Sequence, residues 1–158
     1  SGSGKTLIAN YIEGYHGINM IRSYTDRPKR TPDEEGHTFL SPQEYDKLDE
    51  FKMIASTKWG DYRYCCLKKD VDAQNTYVID EKGLLELISK FDDTYEIVSL
   101  RVYRRLGSRI ASVGQERVDR DEGRFTLPQR FYDFIITNHS DSIDELEERV
   151  NEIVAYVF

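Results

Sequence analysis

The chain has 158 residues, 39% of them apolar and 32% charged, which fits one soluble globular domain and excludes a disordered chain. A formal net charge of −7 argues against a nucleic-acid polymer or an anionic membrane as the main partner, although local Lys and Arg clusters can still hold a small phosphorylated ligand. No apolar run approaches the roughly 20 residues that span a bilayer, and no secretory signal is legible. The only cysteines, Cys65 and Cys66, are adjacent and cannot cross-link distant segments, so a reducing, cytoplasmic setting is expected. Three scattered histidines (His16, His37, His139) show no metal-ligand spacing.

In chain order, Leu7, Ile8, Tyr11 and Ile12 recur at helical spacing and predict a helix over 5–15, with Gly14 and Gly17 near its stop. "INMI" predicts a short buried strand. Residues 24–38, polar with two prolines, predict a long exposed loop. "FKMIAST" and "DYRYCC" predict a hairpin turning at Lys58–Gly60. "TYVID" reads as a strand, and "EKGLLELISKF" as a helix burying Leu84, Leu85, Leu87 and Ile88. "YEIVSLRVY" predicts another strand. Residues 104–125 predict a charged, mostly helical appendage with six arginines. "YDFIIT" predicts the last strand, and 143–157 an amphipathic closing helix started by Ser140 or Asp141. Strands alternating with helices argue for an α/β fold with a mostly parallel sheet.

The opening "SGSGKT" matches the second half of a phosphate-binding loop, G-x-x-x-x-G-K-[ST]. Gly2, Ser3 and Gly4 would shape the cradle, Lys5 would reach the outer phosphates, and Thr6 would hold Mg²⁺. The first glycine of the motif would lie two positions before Ser1, and the strand that feeds such a loop would lie further upstream. The expectation is therefore that the natural N-terminus extends beyond this sequence. Further on, "SYTDRPKR" spaces Arg27 and Arg30 so that both could grip a phosphate monoester. Without context it also reads as a solvated charged loop.

These segments together resemble guanylate kinases, whose acceptor-binding region runs S-x-T-T-R-x-P-R-x-G-E-x-x-G and then an aromatic "YxFxS". Here Ser23, Thr25, Arg27, Arg30 and Gly36 keep register, and "HTFLS" supplies Phe39 and Ser41. "GDYRYCC" is similar to the family's G-N-x-Y-G-T hairpin, with Tyr64 at the tyrosine. "YVIDEKGL" is similar to I-D-x-x-G, with Asp80 at the acidic place. "RRLGSR" with "ERVDRDEGRF" resembles the arginine-bearing lid, and "DFIITN" the strand ending in Asn.

The resemblance implies a P-loop-type parallel sheet flanked by helices, in a single domain over 1–158 lacking its first strand. It implies a small acceptor-binding hairpin region over 23–66 and a helical lid over 104–125. The implied reaction moves the γ-phosphoryl group of ATP, with Mg²⁺, to a nucleoside monophosphate. By that resemblance Ser23, Arg27, Arg30, His37, Tyr64 and Asp80 bind the acceptor, Arg109, Arg117 and Arg120 close on the transferring group, and Asn138 borders the adenine. The partners would be nucleotides, with no nucleic-acid polymer and no membrane.

Four departures stand out. Asp26 replaces the second Thr of the arginine motif and sets a negative charge beside the arginines. The P-R-x-G-E core is broken. His37 sits where a phosphate-binding tyrosine is expected. Met53 replaces the glutamate that reads guanine, and Met cannot accept the two hydrogen bonds that a carboxylate can. Glu50 and Asp61 are the nearby carboxylates that could substitute, and Cys65-Cys66 replaces the Gly-Thr of a second base contact. The phosphate-handling half of the pattern is therefore better kept than the guanine-reading half. The alternatives are a guanylate-kinase-like binding module without catalysis and a phosphate-loop kinase of another small molecule.

Overall fold

The computed structural model describes residues 2–121, 123–139 and 142–158. In chain order come α1 (Lys5–Tyr11), a π-helical turn (Ile12–His16), β1 (Met20–Ile21), β2 (Ser23–Thr25), β3 (His37–Phe39), α2 (Pro42–Tyr45), β4 (Met53–Trp59) and β5 (Tyr62–Leu67). After these come β6 (Thr76–Tyr77), α3 (Glu81–Phe91), β7 (Leu100–Tyr103), α4 (Leu106–Val113), α5 (Gln115–Asp119), β8 (Phe134–Thr137) and α6 (Ile143–Val157). The chain forms two units, one built from Ser1–His16 with Ile97–Phe158, the other from Gly17–Glu96. The fold is α/β, with parallel strand pairs and flanking helices.

The second unit is organised by a four-stranded sheet of order β3-β2-β5-β4. β2 runs parallel to β3, which sets Ser23 opposite His37, and antiparallel to β5, which sets Thr25 opposite Tyr64. β4 and β5 form the expected hairpin, but β4 runs on through Trp59, opposite Tyr62, so the turn is at Gly60–Asp61. Neighbouring strand residues face opposite ways, and the two cysteines accordingly fall into different clusters. Cys65 packs with Tyr45 and Leu67, and Cys66 with Ile21 and Ile54.

The expected exposed loop over 24–38 is shorter than its composition suggests. Its ends are strand, because Tyr24 and Thr25 pair with β5 and β3, and His37 and Thr38 pair with β2. The "TYVID" strand is likewise cut to Thr76–Tyr77, because Asp80 already caps α3 by accepting the Gly83 N–H at 2.8 Å. Within α3 only Gly83 and Leu84 are buried, while Leu85, Leu87 and Ile88 are half-buried. A Cβ on Gly83 would stand 2.6 Å from Ile79 and 2.9 Å from Thr57 of β4, so a missing side chain lets the helix lie close to the strand.

In the first unit β7 and β8 pair in parallel, from Leu100↔Phe134 to Tyr103↔Thr137. The strand expected over 95–103 begins only at Leu100. Just before the ladder, the Ser99 N–H and hydroxyl both donate to Asp133 Oδ2 at 2.7 Å, while the Ser99 carbonyl accepts the Phe134 N–H at 3.0 Å. Leu146, Val150 and Val154, four apart, give α6 its buried stripe. The expected capping residues Ser140 and Asp141 lie outside the described residues; Ser142 directly precedes the first turn. The helix expected over 5–15 keeps its extent but widens into a π-helical turn, whose His16 Nε2 lies 2.7 Å from Asn151 Oδ1, the same oxygen to which Tyr11 donates at 3.0 Å. The 104–125 stretch is two helices broken at Gly114, with φ 84°, and Val118 of α5 is buried. Among the described residues, no helix is long and apolar enough to cross a membrane.

Candidate functional site

The glycine loop ahead of α1 is bent at two positions that an L side chain rarely adopts: Gly2 has φ 73° and Gly4 φ 101°. A Cβ on Gly4 would stand 2.5 Å from the Asn138 side-chain amide, so only glycine fits there. That amide donates to the Ser3 carbonyl at 2.9 Å and ties the loop to the end of β8. The Arg104 guanidinium donates to the Gly2 carbonyl at 3.2 Å from the far end of β7. Ser3 is buried, while Lys5 and Thr6 are exposed at the start of α1, and the Lys5 ammonium donates to Ser3 Oγ at 3.3 Å.

Two arginines of the 104–125 stretch, Arg109 and Arg124, flank one carboxylate. Asp121, whose side chain is 5% exposed, lies 3.9 Å from Arg109 Nη2 and 3.4 Å from Arg124 Nη1. Arg117 is half-buried, and Arg120 is exposed.

In the second unit a tighter arginine cluster forms at the end of β2. Arg27 is only 5% exposed. Its Nε donates to the Tyr64 hydroxyl at 3.2 Å and its Nη1 to the Pro28 carbonyl at 2.8 Å. Nη1 and Nη2 also donate to Glu34 Oε2 and Oε1 at 3.1 and 2.8 Å, a bidentate pair. Arg30 joins the same carboxylate through its backbone N–H at 2.6 Å and its Nη1 at 3.3 Å. Burial works against the charged Glu34, but the hydrogen bonds from Arg27 and the Arg30 amide win and hold its pKa at about 2.

His37 Nδ1 lies 2.8 Å from Ser23 Oγ, and its ring stands edge-on to Tyr64 at 5.6 Å. Burial first, and then the Arg27 charge, lower its pKa, so the ring is neutral at physiological pH. Asp26, the negative charge expected beside the arginines, is bound by Arg63: the Arg63 N–H and Nε donate to its two oxygens at 2.7 and 2.6 Å. Burial opposes the Asp26 charge, yet the Arg63 hydrogen bonds prevail and keep it ionised. Arg63 also lies 4.4 Å from the Tyr45 ring centre, over its face.

No protein-family model matches the sequence, and no curated protein matches it. Among solved structures, the guanylate kinase from Anaplasma phagocytophilum is similar to this chain with a TM-score of 0.71 at 19% identity, covering 96% of this chain and 81% of that one. The chain has a guanylate-kinase-like fold. At that identity the likeness is one of fold, and the side chains have to carry any argument about chemistry.

Within this guanylate-kinase-like fold, Gly2, Ser3, Gly4 and Asn138 come together, and so do Ser23, Arg27, Arg30, His37 and Tyr64. Asp80 is engaged as the cap of α3. Met53 is half-buried against the Tyr45–Cys65–Leu67 cluster, whereas Glu50 and Asp61 are exposed. Burial pushes the Cys66 thiol up to about 12 and raises Cys65 as well, so both are protonated core groups. Sequence reasoning missed Glu34, Asp121, Arg104 and Arg63. The acidic run "DEEG" directly after two arginines was the available signal for Glu34, and "DRDEGR" for Asp121.

Proposed function

We propose that the chain is an ATP-dependent kinase of a nucleoside monophosphate, with a GMP-like acceptor and an altered base preference. The observation that carries this reading is the glycine loop: two positive-φ glycines held in place by Asn138 and Arg104, with Lys5 and Thr6 directly after them. Lys5 offers an ammonium to the outer phosphates of ATP. The Thr6 hydroxyl is a hard oxygen donor of the kind Mg²⁺ takes, and bound Mg²⁺ would neutralise charge on the phosphates.

Phosphoryl transfer asks the protein mainly for positioning and charge neutralisation. Arg27, Arg30, Tyr64, Ser23 and the neutral His37 supply donors for the acceptor phosphate. Arg109, Arg117 and Arg120 supply positive charge for the transferring group. Met53 in place of a carboxylate supports a weak preference for guanine, since a site without the buried acceptor does not reject bases that lack its donors. The buried, protonated thiols fit a reducing, cytoplasmic setting.

The test is ADP release from MgATP with GMP, dGMP, AMP, CMP, UMP and dTMP in turn, with Lys5→Ala as the control. Turnover with at least one acceptor, lost in the variant, is the expected result. No turnover with any of them by a folded protein would replace this reading by a binding module, for which the occupied Arg27 and the capping role of Asp80 already offer support.

A further inference from the structure

Four of the five N–H donors of Arg27 are committed within the protein, two of them to Glu34. Glu34 in turn accepts four hydrogen bonds from Arg27 and Arg30. This is what a bound phosphate oxygen pair would receive. Arg27 therefore cannot grip an incoming phosphate bidentately while Glu34 stays in place.

The two partners are not equally fixed. Arg27 is buried, its backbone N–H donates to Thr25 Oγ1 at 3.2 Å, and its guanidinium is further held by Tyr64, the Pro28 carbonyl and the Phe39 ring 5.2 Å away. Glu34 reaches in from a segment whose residues 28–33 are exposed, bounded at Gly36 by a φ of 96°. Arg27 keeps its orientation without Glu34, and Glu34 has solvent-side chain on which to swing out.

We propose that the Glu34 carboxylate is a built-in competitor for the acceptor phosphate: it fills the anion subsite of Arg27 and Arg30, and an entering phosphate monoester displaces it. The proposal rests on the assignment of these arginines to the acceptor. It also makes Glu34 a determinant of specificity. Glu34 sets one negative charge against the two guanidinium groups, and a dianionic phosphate monoester brings two. A monoanionic phosphodiester or carboxylate only replaces like with like and gains nothing from the exchange.

The experiment titrates wild type and Glu34→Gln with inorganic phosphate and, separately, with dimethyl phosphate at pH 7.5, following Arg side-chain resonances by NMR. Expected is phosphate binding about tenfold or more tighter in the variant, equivalent to at least about 1.4 kcal/mol, together with weaker discrimination against the diester. Equal or weaker phosphate binding by a folded variant overturns the proposal alone and makes Glu34 a structural partner of Arg27. No phosphate binding by either protein overturns it together with the acceptor role of the arginines, while the turnover assay judges the kinase reading independently. Should Glu34→Gln not fold, the Glu34 carboxyl carbon resonance of wild type decides. It moves to the position of a solvated glutamate on saturation with phosphate if the proposal holds, and stays in place if it does not.

Discussion

The two units each tie arginines to a partly buried carboxylate, but they do so at different ranges. In the second unit Arg27 and Arg30 meet Glu34 at 2.6–3.3 Å through four hydrogen bonds. In the first, Arg109 and Arg124 lie 3.9 and 3.4 Å from Asp121. Coulomb attraction changes little over that ångström, whereas hydrogen bonding fades steeply beyond ~3.5 Å. The tight cluster fixes one guanidinium in one orientation, and a ligand must compete for it. In the looser cluster Arg109 and Arg124 stand at ion-pair range of Asp121 and keep positive charge beside it.

Removing the tight cluster's centre should have the largest effect. Arg27→Ala leaves Glu34, whose side chain is 16% exposed, without its main partner. Losing this buried arginine and the four hydrogen bonds that it donates, each worth roughly 0.5–1.5 kcal/mol net, should cost about 3 kcal/mol, to be read as a lower urea midpoint. A change below about 1 kcal/mol would mean that the cluster is no more rigid than its counterpart.

Acid should act next. The folded-state pKa of Glu34 is depressed from 4.5 to about 2, so its contribution is complete above the unfolded value and is lost as pH falls through that window. Unfolding free energy should drop by on the order of 2 kcal/mol between about pH 4.5 and pH 2, and Glu34→Gln should flatten that part of the curve. The smallest effect belongs to the loose cluster. Arg109→Ala should lower the urea midpoint less than Arg27→Ala does, because Arg109 stands 3.9 Å from its carboxylate, while lowering turnover with the best acceptor. A stability loss as large as that of Arg27→Ala would erase the contrast between the two units.

Much of this was legible in the sequence wherever local patterning decided the outcome. The α3 limits follow from the apolar spacing of "EKGLLELISKF", and the closing helix 143–157 from its amphipathic pattern. The β4–β5 hairpin follows from two strand-forming runs around Gly60. Strand lengths were less legible, because the Ser99 N–H goes to the Asp133 side chain and the β7 ladder starts only at Leu100. In the candidate site the motif positions were readable, since Gly2, Gly4, Arg27 and Tyr64 carry a spacing. Pairings across the chain were not. Nothing in "SYTDRPKR" shows that Asp26 answers to Arg63 of the facing strand, or that Arg27 spends two donors on a glutamate seven residues ahead.

The order of the units along the chain bears on how the protein is made. Gly17–Glu96 is one uninterrupted stretch, whereas the other unit joins Ser1–His16 to Ile97–Phe158. On the ribosome, the glycine loop and α1 emerge early but find Asn138, Asn151 and the β7–β8 pair only after the whole intervening unit has been synthesised. The inserted unit can fold as it appears, and the interrupted one must wait with Ile8 and Ile12 uncovered. The nascent chain is therefore most exposed to chaperones and proteases around α1, in the interval before α6 leaves the tunnel.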